Sequence, residues 1–516
     1  MRYSVRLAIH AMLCIGAPFY AANGAAAQTV DPCAALARQD FSLVPDAPTQ
    51  IKQVTSEGNG GTSRSGVCRV RGYVSPRVEF ELQLPLHSWN GKLLYKGCGG
   101  FCGSLAQAAA CAAPVAQGYA CIVSDMGHTS TPIDAKWAYN DLQAEFDFAF
   151  RATYVTTVIG RAITSRYYGG EIKRAYFDGC STGGRQALMA AQRFPEQFDG
   201  IIVGAPAISE SGSGVPGIWA MRSLADSANP GRSVLSAANI QQLHAAVLAR
   251  CDQLDGLVDG ILNDPRDCQF DPAELACGDR STADCWTAAQ VAAARKLYDG
   301  PRDSRGRQLA PGGLTRGSEQ NWVPAYIASD GAIGFYEPFM ADLVRYLSFA
   351  EDPGPSFTLE QFDFDRHPPR LLSLAQLFYA SYNPNLRRAR DHGTKIIHYH
   401  GWNDQSIWPG TSTDYYQLVT QSMGGVGATQ EFYRLFMVPG MNHCEGGVGA
   451  TEIDYLTALD AWVERGAAPV SLVGSHRVAA ALKFQRPVFP YPARSKYLRG
   501  RDPNAAASFV IELPAR

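Results

Sequence analysis

Gly179-Cys180-Ser181-Thr182-Gly183 puts a serine between two glycines in the pattern G-x-S-x-G, which the chain contains once. A strand is expected just before it (Arg174–Phe177) and a helix just after it (Gly183–Arg193). In that setting the turn is so tight that its flanking positions exclude side chains, and the hydroxyl is lifted clear of the sheet edge. The helix N-terminus behind it favours a developing negative charge. A serine is a weak nucleophile at neutral pH, so acyl transfer needs a base, and the base needs an orienting acid.

In this kind of turn the chain order is Ser, then Asp or Glu, then His. The strand Lys395–Tyr399 runs into His400-Gly401-Trp402-Asn403-Asp404, and the strand Phe432–Val438 runs into Pro439-Gly440-Met441-Asn442-His443. Asp404 and His443 thus each fall just past a strand end and are the expected acid and base. Asp414 is the rival acid but falls within a helical pattern, and His398 and His400 lie on or beside a strand, where a structural role is expected. Cys180 immediately precedes the serine and Cys444 immediately follows the histidine. A hydrogen bond between Ser181 and His443 would bring those neighbours within disulfide reach.

The elements that must position these residues alternate. Strands are expected at Val78–Leu84, Lys92–Lys96, Ala120–Ser124, Arg174–Phe177 and Ile201–Val203, with helices over Ala144–Arg166 and Gly183–Arg193. That alternation predicts a largely parallel sheet covered by helices. From 207 to 392 clear strands are scarce, and helical patterns such as Ala237–Arg250 and Thr287–Leu297 sit among Pro-Gly turns and cysteines. The expected fold is α/β: an α/β-hydrolase core (28–206 and 393–516) with a large inserted lid domain (207–392).

Residues 1–27 are expected to be a signal peptide, with basic Arg2 and Arg6, an apolar run too short to cross a bilayer, and Ala25-Ala26-Ala27 as the cleavage site. Removing Cys14 leaves twelve of the 13 cysteines, an even number that suits disulfides in an exported chain. Paired zinc-type CxxC or CxxH ligands are absent. A net charge of −2 with no basic stripe argues against nucleic acid, and no later apolar run reaches bilayer length, so no membrane partner is expected. The destination is secreted or periplasmic.

Gly-Cys-Ser-Thr-Gly-Gly at 179–184, Gly-Trp-Asn-Asp at 401–404 and His-Cys at 443–444 resemble the tannase and feruloyl esterase family, over nearly the whole mature chain. The resemblance implies a serine carboxylesterase with Ser181, Asp404 and His443 as triad and a disulfide between Cys180 and Cys444. It implies an oxyanion hole from the backbone N–H groups of Thr182 and of Gly100, with Gly99 as the alternative. It also implies a structural calcium in the lid, held by carboxylates of Asp252, Asp255 and Asp259 and carbonyls of Leu257 and Ile261. Three carboxylates so close repel one another unless a cation lies between them, and calcium takes six to eight oxygens.

Three further bridges are expected: Cys251 with Cys268 around the calcium loop, Cys277 with Cys285, and Cys33 with Cys68. Cys98, Cys102, Cys111 and Cys121 are left with three possible pairings. Phe489 and Ile511 stand where the family pattern has cysteines, and a packing contact between them is the expected substitute. Thr182 stands where the terephthalate-type enzyme of the family carries an acidic residue.

The substrate class implied is a small aromatic ester, feruloyl and other hydroxycinnamoyl esters first, with galloyl esters or terephthalate monoesters as alternatives. Phe335, Tyr336, Phe339 and Trp408 are candidate ring contacts. A non-catalytic binding protein on the same fold and a secreted peptidase are the rivals from other classes; the intact triad speaks against the first.

Overall fold

The computed structural model describes residues 31–58, 66–278, 285–375 and 378–514. The expected signal peptide lies outside them. Nine strands form one sheet: β1 Thr49–Glu57, β2 Val67–Val74, β3 Val78–Pro85, β4 Lys92–Lys96, β5 Ala120–Ser124, β6 Arg174–Cys180, β7 Gly200–Gly204, β8 Lys395–Gly401 and β9 Tyr433–Val438. Their spatial order is β1-β2-β3-β5-β4-β6-β7-β8-β9. The first pairings are antiparallel, and from β5 through β9 every neighbour is parallel. This is the α/β-hydrolase arrangement expected.

The central strands are short apolar runs because both their faces are covered. Leu93, Tyr95, Phe177, Ile201, Val203 and Ile396 point into one core with Ala187, Leu188 and Ala191 of the helix Thr182–Arg193. Their neighbours Leu94, Tyr176, Ile202, Ile397 and Phe436 point the other way, onto Leu459 and Trp462 of the helix Tyr455–Arg465. The two-residue period of the strands thus feeds two cores.

The helix expected over Ala144–Arg166 is interrupted. Leu142–Phe146 and Ala152–Tyr168 are α-helical, and a π-helical turn at Asp147–Arg151 joins them. The buried Asp147 accepts from Arg151 and Gln143 there. β1 and β2 were not expected, and neither were two C-terminal hairpins, β10 Leu472–Val478 with β11 Ala481–Val488 and β12 Arg494–Tyr497 with β13 Phe509–Glu512.

Between β7 and β8 the described residues form helices, including Gly214–Leu224, Ala237–Cys251, Ala288–Asp299 and Tyr336–Tyr346, and isolated bridges but no named strand.

Six disulfides close: Cys33–Cys68, Cys98–Cys102, Cys111–Cys121, Cys180–Cys444, Cys251–Cys268 and Cys277–Cys285. The second and third decide the pairing left open by the sequence. Ile511 is 54% exposed and sits across from Ser495. Phe489 is half-buried and lines a cavity together with Ser495.

Candidate active site

Ser181 sits between β6 and the helix Thr182–Arg193 at φ 63°, ψ −122°. A non-glycine residue at positive φ is strained and persists only where the surroundings enforce it. They do so here: Ser181 N–H donates to Gly204 O at the end of β7, and Ser181 O accepts from Arg185 and Ala207. Gly183 allows the segment Gly97–Gly103 to lie backbone against backbone on this turn, because a Cβ there would come within 2.9 Å of Cys98 O.

Asp404 and His443 follow β8 and β9, and His443 Nδ1 lies 2.8 Å from Asp404 Oδ2. Asp404 is fully buried, and its Oδ1 accepts the N–H groups of Ser406 at 2.7 Å and Ile407 at 3.0 Å. Burial pushes its carboxyl up. The favourable electrostatics of the His443 and His400 rings, with their hydrogen bonds, outweigh burial and hold it well below the usual carboxylate range. The Cys180–Cys444 bridge, with Cα atoms 5.8 Å apart, joins the residue before Ser181 to the residue after His443. The three residues expected from the sequence therefore come to one edge of the sheet, at the C-terminal ends of parallel strands.

Three features of the site escaped sequence reasoning. His400 Nε2 also reaches Asp404 Oδ2, at 3.2 Å. Asn321, from the segment between β7 and β8, donates to both loops, to Asn403 O at 2.9 Å and Asn442 Oδ1 at 2.7 Å. The Thr182 hydroxyl donates to Gly100 O at 2.7 Å. Only the strand-end position of His400 was visible as a signal. The two polar contacts link residues far apart in the chain.

The rivals have other partners. Asp414 lies in the helix Gly410–Met423 and accepts from the Tyr382 hydroxyl. His398 is fully buried between Tyr433 and Ser412, and burial with the neighbouring His400 holds it neutral, well below the ordinary histidine range.

Gly100 has φ +57°, and a Cβ there would strike Pro132 O at 2.2 Å; at Gly99 a Cβ would meet nothing within 4 Å. Among the described residues the N–H groups of Cys98, Gly99 and Gly100 have no acceptor, whereas those of Gly97, Phe101, Cys102 and Gly103 do. Thr182 opens its helix, where the first N–H groups lack intrahelical acceptors.

Of the candidate aromatics, Phe339 stacks on the buried Phe101 with centroids 4.2 Å apart. Tyr336 contacts Ser406, and Phe335 is exposed. Trp408 is buried and helps line an apolar cavity of about 300 Å³ with Ala207, Ile208, Pro216, Ala380 and Ile407. Its walls are therefore continuous with the residues after β7 and with the acid loop.

In the acidic loop, Asp252 accepts the N–H groups of Asp259 and Gly260. Asp255 and Asp259 line a second cavity with Leu257, Ile261 and Arg486. Burial, with the charges of Asp259 and Asp252, pushes Asp255 up to about 6; burial also raises Asp259, against its Arg486 contact. Among the described residues no three acidic, histidine or cysteine groups converge to hold a metal. Asp255 and Asp259 are two carboxylates lining one cavity, and Asp259 also accepts from Arg486 at 2.9 Å; carboxylate oxygens are the donors a hard cation takes.

The family described as tannase and feruloyl esterase matches residues 63–511. The chain belongs to that family. Among its relatives, mono(2-hydroxyethyl) terephthalate hydrolase of Piscinibacter sakaiensis is 33% identical, covering 87% of this chain and 85% of that one. A probable feruloyl esterase of Arthroderma benhamiae is 32% identical, covering 84% and 83%. An esterase of Aspergillus oryzae superposes with a TM-score of 0.83 at 26% identity, covering 93% of this chain and 99% of that chain. This family member is accordingly a carboxylic ester hydrolase.

Proposed function

We propose that the enzyme hydrolyses esters of aromatic carboxylic acids through a Ser181 acyl-enzyme, with feruloyl and related hydroxycinnamoyl esters as the first substrate class. The observation that carries this is the strained Ser181 turn, joined through Cys180–Cys444 to the loop whose His443 bonds the buried Asp404.

His443 Nε2 takes the Ser181 proton as Oγ attacks the ester carbonyl, and Asp404 steadies the imidazolium. The N–H groups of Thr182 and of Gly100 or Gly99 hold the oxyanion. His443 then gives its proton to the leaving alcohol. A water deprotonated by His443 attacks the acyl carbon and frees Ser181.

The apolar cavity beside Trp408 and Ile208 supports an aromatic acyl group, and the segment 207–392 acts as its lid. The names of the two relatives favour a feruloyl ester or a terephthalate monoester. We assign the loop at 252–261 to a structural calcium, which the carboxylates of Asp252, Asp255 and Asp259 and the carbonyls of Leu257 and Ile261 would hold, and which would offset the charge repulsion within the loop. Residues 1–27 direct export, in keeping with six disulfides.

The test is Ser181→Ala assayed against methyl ferulate, methyl gallate and a terephthalate monoester, with and without chelator. Loss of all ester hydrolysis is expected, and wild-type-like turnover would sink the assignment. Peptide-bond cleavage by the wild type without ester hydrolysis would favour a peptidase.

A further inference from the structure

The segment Gly97–Gly103 is fastened at more points than a surface turn needs. Gly97 N–H donates to Asp178 O on β6, and Gly103 N–H to Asp125 O. Between them Phe101 N–H donates to Pro132 O, and Cys102 N–H closes a turn on Gly99 O. His128 Nε2 lies 2.7 Å from Phe101 O, and the His128 ring stacks on Trp137. The Cys98–Cys102 bridge ties the turn across itself, and Gln186 Nε2, on the helix behind Ser181, faces both sulfurs at 3.0 and 3.6 Å. The Thr182 hydroxyl takes Gly100 O. What remains without an acceptor is the run of N–H groups at Cys98, Gly99 and Gly100, inside the ring that the disulfide closes.

We propose that the Cys98–Cys102 disulfide and the Thr182 hydroxyl are positioning groups of the oxyanion hole, holding the Gly99 and Gly100 N–H donors where the tetrahedral oxyanion forms. They act through the backbone and need not touch substrate. The inference rests on the assignment of Ser181 as nucleophile. The gain appears in the transition state, because the donors are aimed at the oxyanion and not at the ground-state carbonyl. Fixed donors also avoid reorganisation during the reaction, which a five-residue glycine-rich turn without a cross-link would undergo.

The test compares Cys98→Ala/Cys102→Ala, Thr182→Val and Thr182→Ser with the wild type. Readouts are kcat and KM on 4-nitrophenyl acetate, inhibition by phenylboronic acid and the melting temperature. Complete loss of one oxyanion donor lowers kcat roughly 100- to 1000-fold, so displaced donors should lower it about 10- to 100-fold. Boronate affinity should fall by a similar factor, because its tetrahedral adduct places an oxygen in the same hole. KM should stay within about 3-fold, and Thr182→Ser should restore both kcat and boronate affinity.

Unchanged kcat and boronate affinity in both the double variant and Thr182→Val would overturn the proposal. So would losses that track melting temperature and KM together and are not restored by Thr182→Ser. If the double cysteine variant does not fold, the Thr182 pair decides. Failure of the underlying assignment shows separately, as ester hydrolysis that survives Ser181→Ala.

Discussion

His400 Nε2 lies 3.2 Å from Asp404 Oδ2, the oxygen on which His443 Nδ1 already rests. The same His400 nitrogen is 2.8 Å from Ile407 O, while its Nδ1 faces the Ser412 hydroxyl at 2.6 Å. A nitrogen facing a carbonyl and a carboxylate carries the proton, so Ser412 donates to Nδ1. His400 is therefore a donor that helps keep Asp404 ionised in a dry environment.

His400→Asn should lower kcat modestly, roughly 3- to 30-fold, as expected for loss of a supporting hydrogen bond. Asp404→Asn should lower it about 10⁴-fold, because the base loses its orienting charge. Steady-state kinetics on 4-nitrophenyl acetate separate the two. Equal losses would show that His400 does more than support the acid. The pH sign follows from the depressed Asp404 carboxyl. Its stabilising contribution is full above the ordinary carboxylate value and is lost only as pH falls toward the lowered one. Acid unfolding of the wild type should therefore begin at lower pH than that of His400→Asn.

Removal of Cys180–Cys444 should affect both stability and turnover. The bridge spans 264 residues of sequence, and loss of a native disulfide commonly costs about 2–5 kcal/mol. Cys180→Ser/Cys444→Ser should unfold at lower denaturant concentration and turn over about 10-fold more slowly, because the base is less well held. Denaturant titration and kcat on one preparation check both.

Asp255 gives the calcium assignment a signature without any assay of activity. Its folded-state carboxyl is raised to about 6, above the ordinary value of 3.8. Between those values the folded state binds more protons than the unfolded one, so stability in chelator should fall as pH rises toward 6. Calcium should reverse that fall. Asp255→Asn should melt higher than the wild type in chelator at pH 7 and gain less from added calcium. Melting curves at pH 5 and 7, with calcium or chelator, test this.

The cavity beside Trp408 is testable by filling it. Ala380 is on its wall. Ala380→Phe should lower kcat/KM for methyl ferulate at least 10-fold, about 1.4 kcal/mol, and that for 4-nitrophenyl acetate by less. Equal losses on both esters would place the aromatic group elsewhere.

The strand-end positions of Ser181, Asp404 and His443 were legible in the sequence because each is tied to its strand by local pattern. The central strands are apolar runs bounded by glycine or charge, and the turn after β6 admits few sequences. β1 reads poorly because it is an edge strand whose residues are mostly exposed or half-buried, as in Thr49–Glu57. The C-terminal hairpins carry exposed Val473, Leu482, Val510 and Ile511 and lack a clean alternation. The break at Asp147 depends on the tertiary burial of a carboxylate with Arg151, which helical periodicity does not encode. The contacts of Thr182 with Gly100 and of Asn321 with both loops depend on how distant segments dock.

The Cys180–Cys444 bond makes the chain a closed ring at the Ser181 turn, and the described residues from 205 to 394 hang from that ring as an excursion returning to adjacent strands. Residues on the excursion supply cavity walls such as Ile208, Leu309 and Ala380, while Ser181 and His443 belong to the clasp. The two tasks are thereby separable under mutation. Substitutions at those wall positions, away from Asn321 and its hold on both loops, can redraw the cavity while the clasp stays in place, so on the proposed function the architecture offers a route from one acyl group to another.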